Sequence, residues 1–234
     1  MLNEISHVGL WAGFMALVGV PVGWVGARLA DELPRAIEAS WADASDNASG
    51  NASDRASRWP VVLVMALVFA LCGWRYAPGW PLGLAAVFCG TLVVLAFTDA
   101  RSYLLPDMLT LPLMWLGLLV ATVGYWTSPT DAIWGAAAGY LLLWSVYHGF
   151  RLVTGKEGMG YGDFKLLAAI GAWLGVQALP MIVLGASILG IVMALAMRLM
   201  GRAQAGQALP FGPALAMAGA VALLWPAHWP LFWG

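Results

Sequence analysis

The sequence predicts an all-α, polytopic membrane protein, a bundle of about eight transmembrane helices. Of its 234 residues, 62% are hydrophobic and only 10% are charged, whereas an ordinary soluble domain carries about 25% charged residues. The apolar residues also form separate runs of about the length that crosses a bilayer. Because the hydrocarbon core offers no water to unpaired amides, we expect each run to be a helix.

The apolar runs and the polar stretches between them predict the organisation of the chain. The runs extend approximately over His7–Ala30, Pro60–Tyr76, Trp80–Thr98, Met108–Trp126, Ala132–Phe150, Phe164–Ala178, Met181–Met200 and Pro213–Trp229. We expect residues 1–30 to form the first helix, 31–59 a flexible cytoplasmic loop, and 60–234 a seven-helix core. Glu4 precedes the first run and Arg28 follows it, which indicates a retained helix and not a cleaved signal peptide.

The basic residues predict the orientation, because cytoplasmic loops collect Lys and Arg near helix ends. Ten of the 11 basic residues agree with one topology, in which both termini lie outside; the exception is Arg75. In that topology the cytoplasmic side receives the ends of the first, third, fifth and seventh helices.

Composition also excludes several classes of function. The formal net charge is −1, so there is no basic field to hold nucleic acid. The two cysteines, Cys72 and Cys89, lie inside apolar runs and form neither a disulfide framework nor a CxxC pair. The three histidines are scattered and make no HExxH helix, so we expect no metal site.

Most of the acidic residues fall outside the apolar runs. Asp131 is most simply a helix N-cap in an outer loop. We expect the acids of the N-terminal tail and of the long loop to be solvated surface charges: Glu4, Asp31, Glu32, Glu38, Asp43, Asp46 and Asp54.

Asp99 and Asp163 remain as candidates for chemistry. Asp99 ends the third run and Asp163 begins the sixth, so both are expected at the cytoplasmic membrane face. Two adjacent carboxylates share a proton and titrate as a unit, as general acid/base hydrolysis of an amide requires. Taken singly, Asp163 could equally be an N-cap and Asp99 a polar stop. Gly158, Gly160 and Gly162 alternate before Asp163, and glycines at this density allow an extended peptide to approach closely.

These residues resemble a known family. Gly160-Tyr161-Gly162-Asp163 matches the motif of the GxGD aspartyl proteases, and residues 157–175 resemble the second catalytic region of the type IV prepilin leader peptidases. Residues 99–107, Asp-Ala-Arg-Ser-Tyr-Leu-Leu-Pro-Asp, resemble the first region, and Pro210-Phe211-Gly212-Pro213 gives a third match. The three matches run in the family's order from about Leu95 to the C-terminus.

The resemblance implies roles for these residues. Asp99 and Asp163 carry over as the catalytic pair. Asp107 is expected to cap the fourth helix, with a catalytic role as the alternative. Lys165 matches the family's basic position after the aspartate and could equally be a snorkelling anchor. Gly158, Gly160, Gly162, Pro210, Phe211 and Gly212 are expected in the active-site loops.

The resemblance also implies a substrate and a location. Prepilin peptidases of the bacterial inner membrane remove a short basic leader from type IV prepilins and type II secretion pseudopilins at the cytoplasmic face. Expected partners are therefore such a substrate, membrane lipid and components of a pilus or secretion assembly. No cofactor is implied for the peptidase reaction.

The sequence departs from the family in two respects. The end of its first segment, residues 18–35, only loosely resembles the family's stretch before a basic residue and Leu-Pro. Many members carry two CxxC pairs in a cytoplasmic domain and also methylate the new N-terminus with S-adenosylmethionine. Because this sequence contains neither pair, it resembles a form without the tetracysteine domain. We predict peptidase activity and leave methyl transfer open; S-adenosylmethionine is needed only if that activity is retained.

Two other classes compete with the peptidase. A proton- or ion-coupled transporter would use Asp99 and Asp163 along its pathway, but the sequence has no internal repeat and no midplane charge. A non-enzymatic assembly subunit would keep the fold without the two aspartates.

Overall fold

The computed structural model describes residues 2–41, 58–155, 159–200 and 210–225. In the first helix, side chains are described for residues 9–36. Over this part of the chain all regular structure is helical, which confirms the all-α prediction. The eight α-helices are α1 (Leu2–Trp41), α2 (Trp59–Arg75), α3 (Trp80–Ser102), α4 (Asp107–Ala121), α5 (Pro129–Thr154), α6 (Tyr161–Leu174), α7 (Leu179–Leu199) and α8 (Gly212–Leu224). A 3₁₀ turn, Val176–Ala178, joins α6 to α7.

Each of the eight apolar runs contains one α-helix, and the largest difference in bounds is in α1. This helix continues through Pro34 to Trp41, although we expected it to end at Ala30 and a flexible loop to begin at Asp31. Ala27, Ala30 and Pro34 are buried on one face, so packing sustains the helix beyond its apolar run. Residues 42–57 of the expected loop lie outside the described residues.

The helices differ in whether they are long enough to cross a membrane. Among the described residues, three segments are sufficiently long and apolar: Gly9–Ala36, Trp80–Ser102 and Val176–Leu199. Shorter apolar helices are Trp59–Arg75, Asp107–Ala121 and Gly212–Leu224. A helix of 14 residues such as α6 is only about 21 Å long at ~1.5 Å per residue.

The chain divides into two units, residues 1–106 and 107–234. In the first unit, α1 packs closely on α2 through small residues. A Cβ atom on Gly19 would lie 2.7 Å from the Cα of Ala66, and one on Gly23 would lie 2.8 Å from the Cα of Val62. Backbone-to-backbone contact of this kind is typical of membrane helices.

In the second unit, α6 is the most deeply buried helix. All of its residues from Asp163 to Trp173 are buried except Lys165, which is half-buried. The indole Nε1 of Trp173 donates a hydrogen bond of 2.8 Å to the carbonyl of Leu113 in α4. That bond satisfies the polar atom of a side chain that is 1% exposed.

Glycines on the neighbouring helices make room for α6. A Cβ on Gly135 of α5 would overlap the backbone carbonyl of Gly171, and one on Gly117 of α4 would overlap the Trp173 ring. A Cβ on Gly139 of α5 would lie 2.7 Å from the carbonyl oxygen of Leu167. The Gly135–Gly139 stretch of α5 therefore packs at backbone distance against α6.

These contacts predict opposite effects of the same substitution at two positions of α5. Gly135→Ala should lower the free energy of unfolding by about 1–3 kcal/mol, because α5 and α6 must move apart to admit the methyl group. Gly149→Ala is the matched control: apart from its own helix turn, no atom of the described residues lies within 4 Å of its Cβ position, and alanine favours a helix by about 0.5–1 kcal/mol over glycine. Unfolding in mixed detergent micelles, followed by circular dichroism, measures both. Equal stability of the two variants would contradict the packing role of Gly135.

Candidate active site

Asp99 lies in the last turn of α3, in the first unit. Its side chain is 5% exposed, and the preceding Thr98 is fully buried. Helix α3 ends because Tyr103 adopts the left-handed conformation, with φ of 56°. The Tyr103 amide donates a hydrogen bond of 2.8 Å to the carbonyl of Asp99, which gives one of the unpaired terminal carbonyls a partner.

A charged cluster lies at the same end of α3. The Asp31 carboxylate of α1 accepts hydrogen bonds from Arg101 Nη1 and from Arg58 Nε, the latter at 3.3 Å. The Asp31 side chain is 11% exposed, compared with 22% for Arg101 and 28% for Arg58. Our expectation that Asp31 is a solvated loop charge was therefore wrong.

A signal for Asp31 was present in the sequence. The helical spacing of Ala27, Ala30 and Pro34 continues past the end of the apolar run. Because residues three and four apart share a helix face, extending α1 places Asp31 beside this buried stripe. Because many of the residues after Ala30 are polar, we expected the helix to end there and missed this spacing.

Asp163 lies in the first turn of α6, in the second unit. Gly160 is the N-cap, with extended φ and ψ of −78° and 146°, so Asp163 is the third helical residue. Its side chain is 5% exposed. The first amides of a helix point away from its body and carry partial positive charge, so they favour a carboxylate at this position. Gly160 is exposed and Gly162 is half-buried, whereas Gly158 lies outside the described residues.

Aromatic side chains hold the first turn of α6 against α5. The rings of Tyr147, Tyr161 and Phe164 contact one another, with centroids 5.2–5.6 Å apart. The two tyrosine hydroxyls lie 3.3 Å apart. Because Tyr147 is only 2% exposed, this cluster anchors the turn that carries Asp163.

Lys165 and Asp107 form an ion pair between α6 and α4. Lys165 Nζ donates to both carboxylate oxygens of Asp107, each at 2.7 Å. The two side chains are 33% and 52% exposed, so solvent screens the pair and its contribution to stability is small. Asp107 is the first residue of α4, and the pair joins the first turns of the two helices.

The third sequence match lies at the start of α8. Phe211 is the N-cap residue and Pro213 occupies the first turn, where the missing amide of proline carries no penalty. The Phe211 ring packs against Gly190 of α7, 3.4 Å from where a Cβ would lie. Pro210 and Phe211 are half-buried and Gly212 is buried.

A polar cavity of about 320 Å³ lies at the other end of α6. It is lined by Gly124, Tyr125, Trp126, Thr127, Ser128, Asp131, Leu174, Gly175 and Gln177. Ser128 is the N-cap of α5, and its hydroxyl donates to Asp131 at 2.7 Å while accepting the Asp131 amide at 3.1 Å. Asp131 is thus the third residue of the helix, whose amide Ser128 caps, and not the N-cap that we expected.

The predicted site residues belong to both units of the chain. Asp99 belongs to the first, and Asp163, Lys165 and Asp107 belong to the second. Within the second unit Lys165 and Asp107 are brought together. Among the described residues, no group of three His, Cys, Asp or Glu side chains could hold a metal ion.

Comparisons with known proteins agree with the motifs. A model of the type IV leader peptidase family matches residues 86–195. Relatives named prepilin leader peptidase/N-methyltransferase include those of Stutzerimonas stutzeri, 46% identical over 80% of this chain and 65% of the relative, and Aeromonas hydrophila, 48% identical over 80% and 64%. That of Dichelobacter nodosus is 44% identical over 83% of this chain and 68% of the relative. No solved structure matches.

The matched region contains both aspartates and the whole of α4, α5 and α6. The chain spans slightly less than two thirds of the length of the first two relatives, 65% and 64%, and slightly more than two thirds of the Dichelobacter protein, 68%. On this similarity and these motifs, the chain belongs to the type IV leader peptidase family.

Proposed function

We propose that the protein is a membrane aspartic endopeptidase that removes the leader peptide from type IV prepilins or type II secretion pseudopilins. The observation that carries the proposal is the placement of Asp99 and Asp163. Each is 5% exposed, each occupies the terminal turn of a helix, and each stands in a motif of the family to which the chain belongs. Buried carboxylates near a membrane are costly and indicate function.

The proposed mechanism uses the two carboxyl groups as a pair that shares one proton. The ionised member takes a proton from the attacking water, while the protonated member donates a hydrogen bond to the scissile carbonyl oxygen. The proton taken from the water then passes to the leaving amine as the C–N bond breaks, and the pair again holds one proton.

The substrate is inferred from the family. The relatives' printed name includes a prepilin leader peptidase, and a prepilin carries a short basic leader followed by a hydrophobic helix. That helix is suited to a place among the helices of a membrane enzyme, with the leader at the level of the two aspartates. Gly160 and Gly162 leave backbone accessible beside Asp163 for an extended peptide. Lipid and components of a pilus or secretion assembly are the other proposed partners.

The proposed topology has eight crossings in the bacterial inner membrane, with both termini in the periplasm. The charges at the ends of α1, α3, α5 and α7 support it. The cytoplasmic side would then receive Asp99, Asp163, the Asp107–Lys165 pair and the connection between α1 and α2. Helices α2 to α8 would form the peptidase core.

Methyl transfer is not part of the proposal. The relatives' name also includes an N-methyltransferase, which requires a methyl donor such as S-adenosylmethionine. The cavity lined by Leu174 and Gly175 does not fit that reaction, because it lies about 11 residues, or ~16 Å, along α6 from Asp163. Mass spectrometry of the mature N-terminus decides whether a methyl group is added.

Carboxamide variants test the catalytic pair. Asp99→Asn and Asp163→Asn should each lower cleavage of a co-expressed prepilin at least ~100-fold, because each keeps the side chain's shape and removes the titrating group. Asp107→Asn should retain cleavage within about fivefold, because an exposed ion pair contributes ~1 kcal/mol or less. Gel mobility of the prepilin measures all three.

Asp131→Asn is the control for loss of a carboxylate, since Asp131 lies at the other end of the second unit. If Asp107→Asn abolishes cleavage and Asp99→Asn does not, the assignment of the pair is wrong. If a folded wild-type protein cuts none of the leaders, the peptidase proposal fails, and proton-coupled flux becomes the next assay.

Labelling of the two ends of α5 tests the topology. In a chain with Cys72 and Cys89 replaced by Ala, the Thr130→Cys and Thr154→Cys variants are matched, since both threonines are exposed. A membrane-impermeant maleimide should label the Thr130→Cys variant in spheroplasts, and the Thr154→Cys variant only after lysis. The reverse pattern would overturn the proposed orientation.

A further inference from the structure

We propose that Asp31 is a positioning residue for Asp99, acting through Arg101. This inference rests on the proposed function, in which Asp99 is catalytic. Asp31 lies in α1, outside the family match at residues 86–195. It therefore adds to the site a residue from a part of the chain that the family match does not include.

The contacts of Asp31 distinguish it from a surface charge. One carboxylate oxygen accepts from Arg101 at the end of α3, and the other accepts from Arg58 just before α2, at 3.3 Å. The Asp31 side chain is 11% exposed, so removal of its charge leaves two partly buried cations without this counter-ion. A single carboxylate of α1 thus joins the start of α2 and the end of α3.

The ion pair between Asp31 and Arg101 restrains the helix turn that carries Asp99. Asp99 is the fourth residue from the end of α3, which runs to Ser102, and Arg101 stands in the same turn. The last turn of a helix frays because its final carbonyls lack partners within the helix. With Arg101 bound to α1, fraying requires a partly buried ion pair to break, so the Asp99 carboxyl is held in one position.

Asp31 also binds the cation that follows the proposed catalytic carboxyl of Asp99 by two residues. Arg101 follows Asp99 by two residues, and without Asp31 its guanidinium would lack this counter-ion in the same turn as Asp99. In the absence of Asp31 we expect this cation to compete for the Asp99 carboxylate and to displace it from the position that the reaction needs. The proposed reaction requires the aspartate pair to exchange a proton, so such a cation would slow the chemical step.

The second unit has the same arrangement around Asp163. Lys165 also follows its aspartate by two residues, and a carboxylate from another helix, Asp107, binds it at 2.7 Å. Each proposed catalytic aspartate is therefore followed by a cation that another helix holds. Because the Asp107 and Lys165 side chains are 52% and 33% exposed, solvent screens that pair, and we expect it to restrain its turn less than the more buried Asp31–Arg101 pair does.

Steady-state cleavage and amide hydrogen exchange on the full chain test this role. Asp31→Asn should lower kcat for prepilin cleavage by roughly 10- to 100-fold with KM little changed, because small displacements of a catalytic group slow chemistry. Exchange should also rise at residues 98–103. Asp31→Glu, which restores the carboxylate, should recover both, and Asp31→Asn combined with Arg101→Gln should recover part of kcat by removing the cation that Asp31 binds.

Glu32→Gln is the matched control, since Glu32 is the adjacent acid and is exposed; it should change neither readout. Wild-type kcat in Asp31→Asn overturns the proposal, and so does a loss of cleavage with unchanged exchange at residues 98–103. If the wild-type chain cuts no prepilin, the proposed function fails, and the exchange measurement still decides whether Asp31 holds the end of α3.

Discussion

The cost of placing charge near an apolar environment governs the arrangement of this molecule. A buried or half-buried ionisable side chain must find a counter-charge, a set of backbone dipoles or water. Asp31 is bound by two arginines, Lys165 is bound by Asp107, and Asp163 occupies the amide-rich first turn of a helix. With 10% charged residues, the chain has few such groups, and both the proposed orientation and the proposed chemistry depend on them.

Close helix packing meets a second requirement, since a catalytic side chain must be held by a rigid scaffold. Helix α6 is buried along nearly its whole length, and Gly117, Gly135 and Gly139 let its neighbours approach at backbone distance. At one end of α6 the Trp173 indole is bonded to α4, and at the other an aromatic cluster and an ion pair hold the first turn. In the first unit, Tyr103 and Arg101 restrain the corresponding turn of α3. Different local contacts therefore hold the helix turns that carry Asp99 and Asp163.

Much of the fold and of the site could be predicted from the sequence, but the extension of α1 and the role of Asp31 were missed. The eight apolar runs identified all eight described helices, because hydrophobic runs in this length range form helices where no water is available to the backbone. The end of α1 was placed at Ala30, since apolar composition stops there, whereas tertiary contacts carry the helix through Pro34 to Trp41. Asp31 was interpreted as solvated because it directly follows the apolar run. Its partners, Arg58 and Arg101, are 27 and 70 residues distant in the chain.

The sequence by itself determined the all-α class, the number of helices, the charge asymmetry and the ordered motifs around Asp99 and Asp163. These are local properties, set by composition, periodicity and short spacings. Only the tertiary structure decided which carboxylate binds which cation, which glycines face a backbone, and that Ser128 and not Asp131 caps α5. Such pairings depend on distances between residues far apart in the chain, or on backbone angles at one residue, and a linear pattern of residue types does not contain either quantity.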